Sequence, residues 1–271
     1  MLCKILVVST SAYYDWKQTP ISKWQKKTME LDKMIKSIFY EHKERYGSTR
    51  IFVELKSRNI KCTRARVSER MKIMNLTAKA RKKFKATTDS NHNKAIAANL
   101  LNQNFIATVP NKKWLTDITY IRTNEGWLYL CVFIDLYSRA VIGWSMDKRM
   151  TAALVTNALT MALFRRKFPR NVIIHSDRGT QYCANSYQSL LLNNRLICSM
   201  SGKGCCYDNA AMESFFHSLK VELVHDEQYK TREEAKTSIV EYMECYYNKK
   251  RRHSAISYLT PERWDAMEIT G

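Results

Sequence analysis

The sequence contains no Cys-x-x-Cys pair, no His-x₃₋₅-His spacing and few acids for its length. Its eight cysteines, at 3, 62, 131, 183, 198, 205, 206 and 245, therefore offer no zinc-site pattern. With no signal peptide ahead of them, free thiols in a reducing cytoplasm are expected. Cys131 and Cys198 fall in apolar strand-like runs and read as small core residues. No apolar stretch approaches the roughly 18 residues of a membrane span, and Ile5-Leu6-Val7-Val8 is far too short.

What is abundant is positive charge. Forty-five lysines and arginines face 25 acids, a formal net charge of +20 over 271 residues. A polyanion is the partner such a balance fits, although a solvated basic surface is the ordinary alternative. The distribution is uneven: residues 1–110 hold 23 basic residues against eight acids, and the remainder is nearer balance.

The first hundred residues read as helices. Leu31, Ile35, Ile38, Phe39, His42 and Tyr46 recur at three- and four-residue steps, marking an amphipathic helix that Gly47 is expected to end. His42 on that stripe reads as an interfacial histidine. Ser48 and Thr49 are expected to cap a second helix reaching about 58, and Thr63 a third over 64–75. Val67, Met71 and Met74 form the buried face of that third helix. Arg64, Arg66, Arg70 and Lys72 lie mostly elsewhere, so the pair suggests a helix-turn-helix with its second helix in a DNA major groove. A plain three-helix packing unit is the alternative. The basic run 79–85, including Lys82 and Lys83, and the polar 87–93 read as a linker able to follow a phosphate backbone. Boundaries are expected at 1–78 for the helical region, 79–110 for the linker, 111–225 for a catalytic core and 226–271 for a basic helical tail.

From Trp114 the pattern turns to strands. Strands are expected over 116–122 and 127–136, joined at Asn124-Glu125-Gly126, with a third over 139–146. A helix over 151–165, a strand ending at Asp177, a helix over 185–194 and a strand over 195–200 follow. Asp117 stands in the first strand and Asp177 at the end of the fourth, sixty residues on. Glu213 follows after 35 intervening residues. Tyr207-Asp208-Asn209 reads as a turn with Asp208 at the N-cap of a helix, placing Glu213 in its second turn and His217 and Lys220 on the same stripe. Any one acid could be structural. Together they suit phosphodiester chemistry, in which two divalent cations take hard oxygen ligands.

Trp114-Leu115-Thr116-Asp117-Ile118-Thr119-Tyr120, Asp135-Leu136-Tyr137-Ser138-Arg139, His175-Ser176-Asp177-Arg178-Gly179-Thr180-Gln181-Tyr182 and Tyr207-Asp208-Asn209-Ala210 through Glu213-Ser214-Phe215-Phe216 carry a resemblance. Over nearly all of 112–264 the chain resembles the DDE transposases and retroviral-type integrases, and most closely the OrfB proteins of frameshifting insertion sequences. The resemblance implies an α/β ribonuclease H-like core, a mixed five-stranded sheet with flanking helices, preceded by the all-α helix-turn-helix-like region. It implies that Asp117, Asp177 and Glu213 are catalytic ligands of two Mg²⁺ ions, with Mn²⁺ able to substitute, and that Lys220 contacts DNA. Arg178 and His217 could steady a phosphate or be ordinary surface cations. Arg251 and Arg252 belong to a basic tail that either touches DNA or merely ends a helix. Asp135 is a candidate fourth carboxylate or a structural hydrogen-bonding group, and His175 a packing residue near Asp177. The implied partners are insertion-sequence ends and target DNA, a small upstream helix-turn-helix protein, OrfA, and further copies of the chain on DNA, in the bacterial cytoplasm at the nucleoid. One departure stands out: Lys203-Gly204-Cys205 has a thiol where the family usually has an asparagine. A ribonuclease acting on RNA, and a non-catalytic or degenerate DNA-binding regulator, remain as rival readings.

Overall fold

The computed structural model describes residues 2–18, 21–79, 97–202 and 206–267. The chain divides into two compact units, residues 1–80 and 81–271.

The first unit is helical: α1 (Leu2–Ile5), α2 (Thr10–Gln18), α3 (Lys23–Glu41), α4 (Ser48–Ser57) and α5 (Arg64–Ile73). A capping box starts α3, the Ser22 hydroxyl accepting from the Gln25 N–H while the Gln25 side chain accepts from the Ser22 N–H. Gly47 does not end that helix. Lys43 and Glu44 do so, at φ 51° and 62°, with the Glu44 N–H donating to the Phe39 carbonyl. Gly47 is instead the extended residue before α4, so Ser48 and Thr49 lie inside that helix rather than capping it. Thr63 caps α5 as expected, its hydroxyl accepting from the Arg66 N–H at 3.2 Å. Leu31, Ile35, Ile38, Phe39, Tyr46, Ile51, Leu55, Val67 and Met71 close one core. His42 is buried against it, stacked on Tyr46 with ring centroids 3.7 Å apart.

The second unit is built on five strands, β1 (Lys113–Thr123), β2 (Gly126–Asp135), β3 (Val141–Asp147), β4 (Ile173–Ser176) and β5 (Ile197–Met200), ordered β3-β2-β1-β4-β5. The β1–β2 and β2–β3 pairs are antiparallel, and β4 runs parallel to both β1 and β5. Alternation along β1 feeds two cores. Trp114 and Ile118 join the layer of α6 (Ala152–Arg165) and α7 (Asn185–Asn193). Leu115 and Ile121 face the layer of α8 (Ala210–Glu222) and α9 (Arg232–Val240). Gly143 lets α6 lie flat on β3. A Cβ there would fall inside contact distance of the Ala158 carbonyl and 2.7 Å from the Ala162 Cβ.

The helical tail expected over 226–271 contains α9 followed by a π-helix, Glu241–Tyr247, before the short α10 (Pro261–Ala266). Tyr229, Ala235, Ile239, Tyr242, Met243, Tyr246 and Tyr247 lie in the same core as Leu115, Met212, Phe215 and Leu219, so the tail and the sheet share one interior. Among the described residues no helix is long and apolar enough to cross a membrane.

Candidate active site

Parallel register brings the first two acids level. Leu115 pairs with His175 across β1 and β4, so Asp117 and Asp177, each two residues further, sit side by side where β4 ends. Asp117 alternates onto the face of Leu115, beneath α8. The Asp117 Oδ1 accepts from the Ile118 N–H at 2.7 Å, and the Asp177 Oδ1 from the Gly179 N–H at 2.9 Å.

Glu213 reaches this end of the sheet from the first turn of α8, one turn earlier than expected, because the helix begins only at Ala210. Asp208 is not its N-cap. It lies buried in the 3₁₀ turn Cys206–Asn209, where its Oδ2 accepts from Asn99 Nδ2 at 2.9 Å and the Gly202 N–H at 2.8 Å, which leaves that oxygen no role at the helix start. The Asn209 side-chain amide donates to the Thr116 carbonyl at 3.4 Å, fastening the start of α8 beside Asp117.

The electrostatics report the convergence. Burial raises the Asp117 carboxyl, the Asp177 charge raises it further and Glu213 adds to both. The Ile118 N–H and Lys220 act the other way, and the result lies well above the ordinary carboxylate range. Side chains from the end of β4 and from α8 thus act on Asp117, while the Glu213 carboxyl is itself raised by partial burial. Burial lowers the Lys220 ammonium while Tyr120 and Asp117 work to raise it. Its Nζ lies 5.2 Å from the Tyr120 ring centroid. Among the described residues no three His, Cys, Asp or Glu side chains form a ready-made metal cage. Carboxylate oxygens such as those of Asp117, Asp177 and the exposed Glu213 are of the hard kind that Mg²⁺ takes.

Neighbouring groups brace this arrangement. His175 is buried, its Nδ1 2.9 Å from Ser199 Oγ and its Nε2 3.2 Å from Ser201 Oγ, and burial brings its pKa down to about 4. It is a neutral tie between β4 and the strand beyond it. Arg178 Nε donates to the Ser201 carbonyl at 2.7 Å, bracing the same loop. Asp135 is structural: buried, its oxygens accept from the Asn111 N–H at 2.9 Å and the Tyr137 N–H at 3.0 Å.

The basic residues sort by surroundings. Arg64 is exposed on α5 and His217 half-buried on α8. Arg66 Nη2 donates to the Thr28 hydroxyl at 2.9 Å. Arg70 departs from the expected DNA-facing role, since its guanidinium grips both Asp32 oxygens, at 2.8 and 2.6 Å, and is turned onto α3. Arg251 departs further. It is buried, with Nη2 2.7 Å from Glu222 Oε1 and donating to the Ser218 hydroxyl at 2.9 Å, so it pins the end of α8 and presents nothing to a phosphate. Arg252 is half-buried and donates to the Tyr258 carbonyl at 3.2 Å, while Lys249 and Lys250 are the exposed cations of that run. Lys82, Lys83 and Lys203-Gly204-Cys205 lie outside the described residues. Sequence reasoning passed over Tyr120 and Trp127, an exposed pair with ring centroids 5.0 Å apart. The signal was their place on the hairpin, across which Arg122 faces Trp127.

Residues 107–206 and 213–269 each match a family model described as integrase core domain, and residues 25–84 one described as HTH-like domain. The chain is 48% identical over 266 residues to transposase InsF for insertion sequence IS3A of Escherichia coli (strain K12), covering 97% of this chain and 92% of that protein. It is 42% identical over 260 residues to the insertion element IS600 uncharacterized 31 kDa protein of Shigella sonnei, covering 96% of each. Among solved structures it resembles a chain of the simian T-cell lymphotropic virus intasome in complex with PP2A regulatory subunit B56 gamma. The TM-score is 0.50 at 16% identity, covering 86% of this chain and 74% of that one, a likeness of fold.

Proposed function

This chain belongs to the IS3 family of insertion-sequence transposases, and from that premise we propose that Asp117, Asp177 and Glu213 are the ligands with which it cuts and joins DNA strands. The family membership makes it a DNA-acting polynucleotidyl transferase. Support for the residue assignment comes from one observation above all. The β1–β4 register pairs Leu115 with His175 and so brings Asp117 and Asp177 level, and Asn209 ties the start of the helix carrying Glu213 to the Thr116 carbonyl next to Asp117.

The reaction exchanges one phosphodiester for another. Water opens the bond at the end of the element, and the freed 3′-hydroxyl then attacks a phosphodiester of the target strand, with a 3′-oxygen leaving in each case. Two Mg²⁺ ions, with Mn²⁺ as a substitute, would activate the attacking oxygen and stabilise the leaving one. The protein's own part is to hold three carboxylates on rigid elements, to steady a phosphate through Lys220, and to keep α8 seated by Asn209 and Arg251. Arg64 with the basic linker supplies DNA affinity, and His217 and Arg252 are further contacts. The reading extends to a small helix-turn-helix partner of the OrfA type, to a multimer assembled on the element's ends, and to action at the bacterial nucleoid.

The test is incubation of the protein with labelled insertion-end duplex in Mg²⁺, in Mn²⁺ and in chelator, with an RNA–DNA hybrid in parallel. Strand-joined product that needs the cation and vanishes in Asp117→Asn is the expected result. Hydrolysis of the hybrid alone would make the protein a ribonuclease, and a gel shift without chemistry would make it a regulator.

A further inference from the structure

The β1–β2 hairpin ends in two large aromatic side chains that the fold leaves uncovered. Tyr120 is 43% exposed and Trp127 47%, and their rings meet edge to face. They share a sheet face with Ile118 and Cys131 but lie beyond the buried part of that layer. Burying such rings would be the ordinary use of their area, so their exposure together points to a ligand.

The charges around them say what kind. Lys220 Nζ lies over the Tyr120 ring, 5.2 Å from its centroid. Arg122 is exposed on the same face, opposite Trp127 in the strand register. Aromatic faces interleaved with cations fit a nucleic-acid strand, bases on the rings and phosphates on the ammonium and guanidinium groups.

The platform is also stiff. Arg232 donates through Nε to the Trp127 carbonyl at 3.0 Å and through its backbone N–H to Glu125 Oε2 at 2.9 Å. The Asn124 N–H donates to the Tyr229 carbonyl at 3.0 Å, and the Thr123 hydroxyl to the Gly126 carbonyl at 2.7 Å across the turn. A hairpin tied down on both sides presents its rings without an ordering cost on binding.

A base inside a duplex already has neighbours on both faces. Only a base released from the stack can use these rings, and such bases occur where a strand end is frayed or cut. We propose that Tyr120 and Trp127 form a stacking platform for unpaired bases at a DNA end, with Lys220, whose ammonium lies over the Tyr120 ring, and the exposed Arg122 taking the adjoining phosphates. This rests on the transposase chemistry proposed above and adds the form of DNA that the site receives.

The test compares the full-length protein on two duplexes of one sequence, one blunt and one with a three-nucleotide unpaired tail carrying 2-aminopurine. The expected result is tighter binding of the tailed duplex, by about tenfold, with 2-aminopurine fluorescence quenched by the rings. Tyr120→Ala and Trp127→Ala should lose the preference and the quenching, and Tyr120→Phe and Trp127→Phe should keep most of both. Equal binding of the two duplexes by the parent protein would overturn the platform, as would alanine or phenylalanine variants that behave in the opposite sense. Tail preference without any strand joining would leave the platform standing and remove the transposition reading. Joining without tail preference would do the reverse.

Discussion

Asp117 is a half-buried carboxyl that two other carboxyls push against, relieved by one ammonium and one backbone N–H. Asparagine in its place keeps the shape and the acceptor for Ile118 while removing one repelling charge. Asp117→Asn should therefore melt a few degrees higher than the parent without metal, lose the thermal shift that Mg²⁺ gives the parent, and join no strands. Calorimetry with and without Mg²⁺ checks this, and equal shifts in both proteins would exclude Asp117 as a ligand. The acids were singled out in the sequence less by their strand and turn contexts, in which any one of them could be structural, than by the motifs around them that resemble the transposase family. Arg251 was not. A basic run reads the same whether its members are solvated or paired, and the partner, Glu222, lies 29 residues earlier, at the end of α8. Asp208 failed for a similar reason: its cap-like position was visible, but the claim on it by Asn99, 109 residues away, was not.

At the scale of elements, α8 carries Glu213 and is held at its far end by the buried Arg251–Glu222 pair, to which the Tyr242 hydroxyl also donates at 2.9 Å. Burial opposes the Arg251 charge, but Glu222 and its hydrogen bonds more than offset this and raise its pKa. Arg251→Met leaves a buried carboxylate unpaired and should cost about 3–5 kcal/mol of stability. Adding Glu222→Leu should recover most of it, and denaturant melts of the two variants measure the difference. Gly143→Ala should cost about 1–3 kcal/mol through overpacking, because α6 must move off β3 to admit the methyl group. Strand alternation and helix periodicity gave the order and most spans of these elements. The ends were less legible because they depend on competing hydrogen bonds, as where Lys43 and Glu44 adopt left-handed conformations that Gly47 was expected to supply.

For the molecule as a whole, the positive charge crowds into residues 1–110, while the remainder of the chain is nearer balance. DNA affinity should be steeply salt dependent, falling roughly a thousandfold between 50 and 200 mM salt if about six phosphates are neutralised. Arg64→Ala should reduce the slope of log affinity against log salt by about one, and Arg70→Ala should leave it unchanged because its guanidinium is already held by Asp32. Anisotropy titrations in a salt series decide both.

The interior shared by the sheet and the tail governs what truncated copies of this gene can do. A chain cut near residue 225 forfeits Tyr229, Ile239, Tyr242, Met243 and Tyr247, and with them much of the core against which α8, the helix carrying Glu213, is packed. The first unit, closed around a core of its own, is untouched by such a loss. Shortened products should therefore keep a folded helical unit yet join no strands.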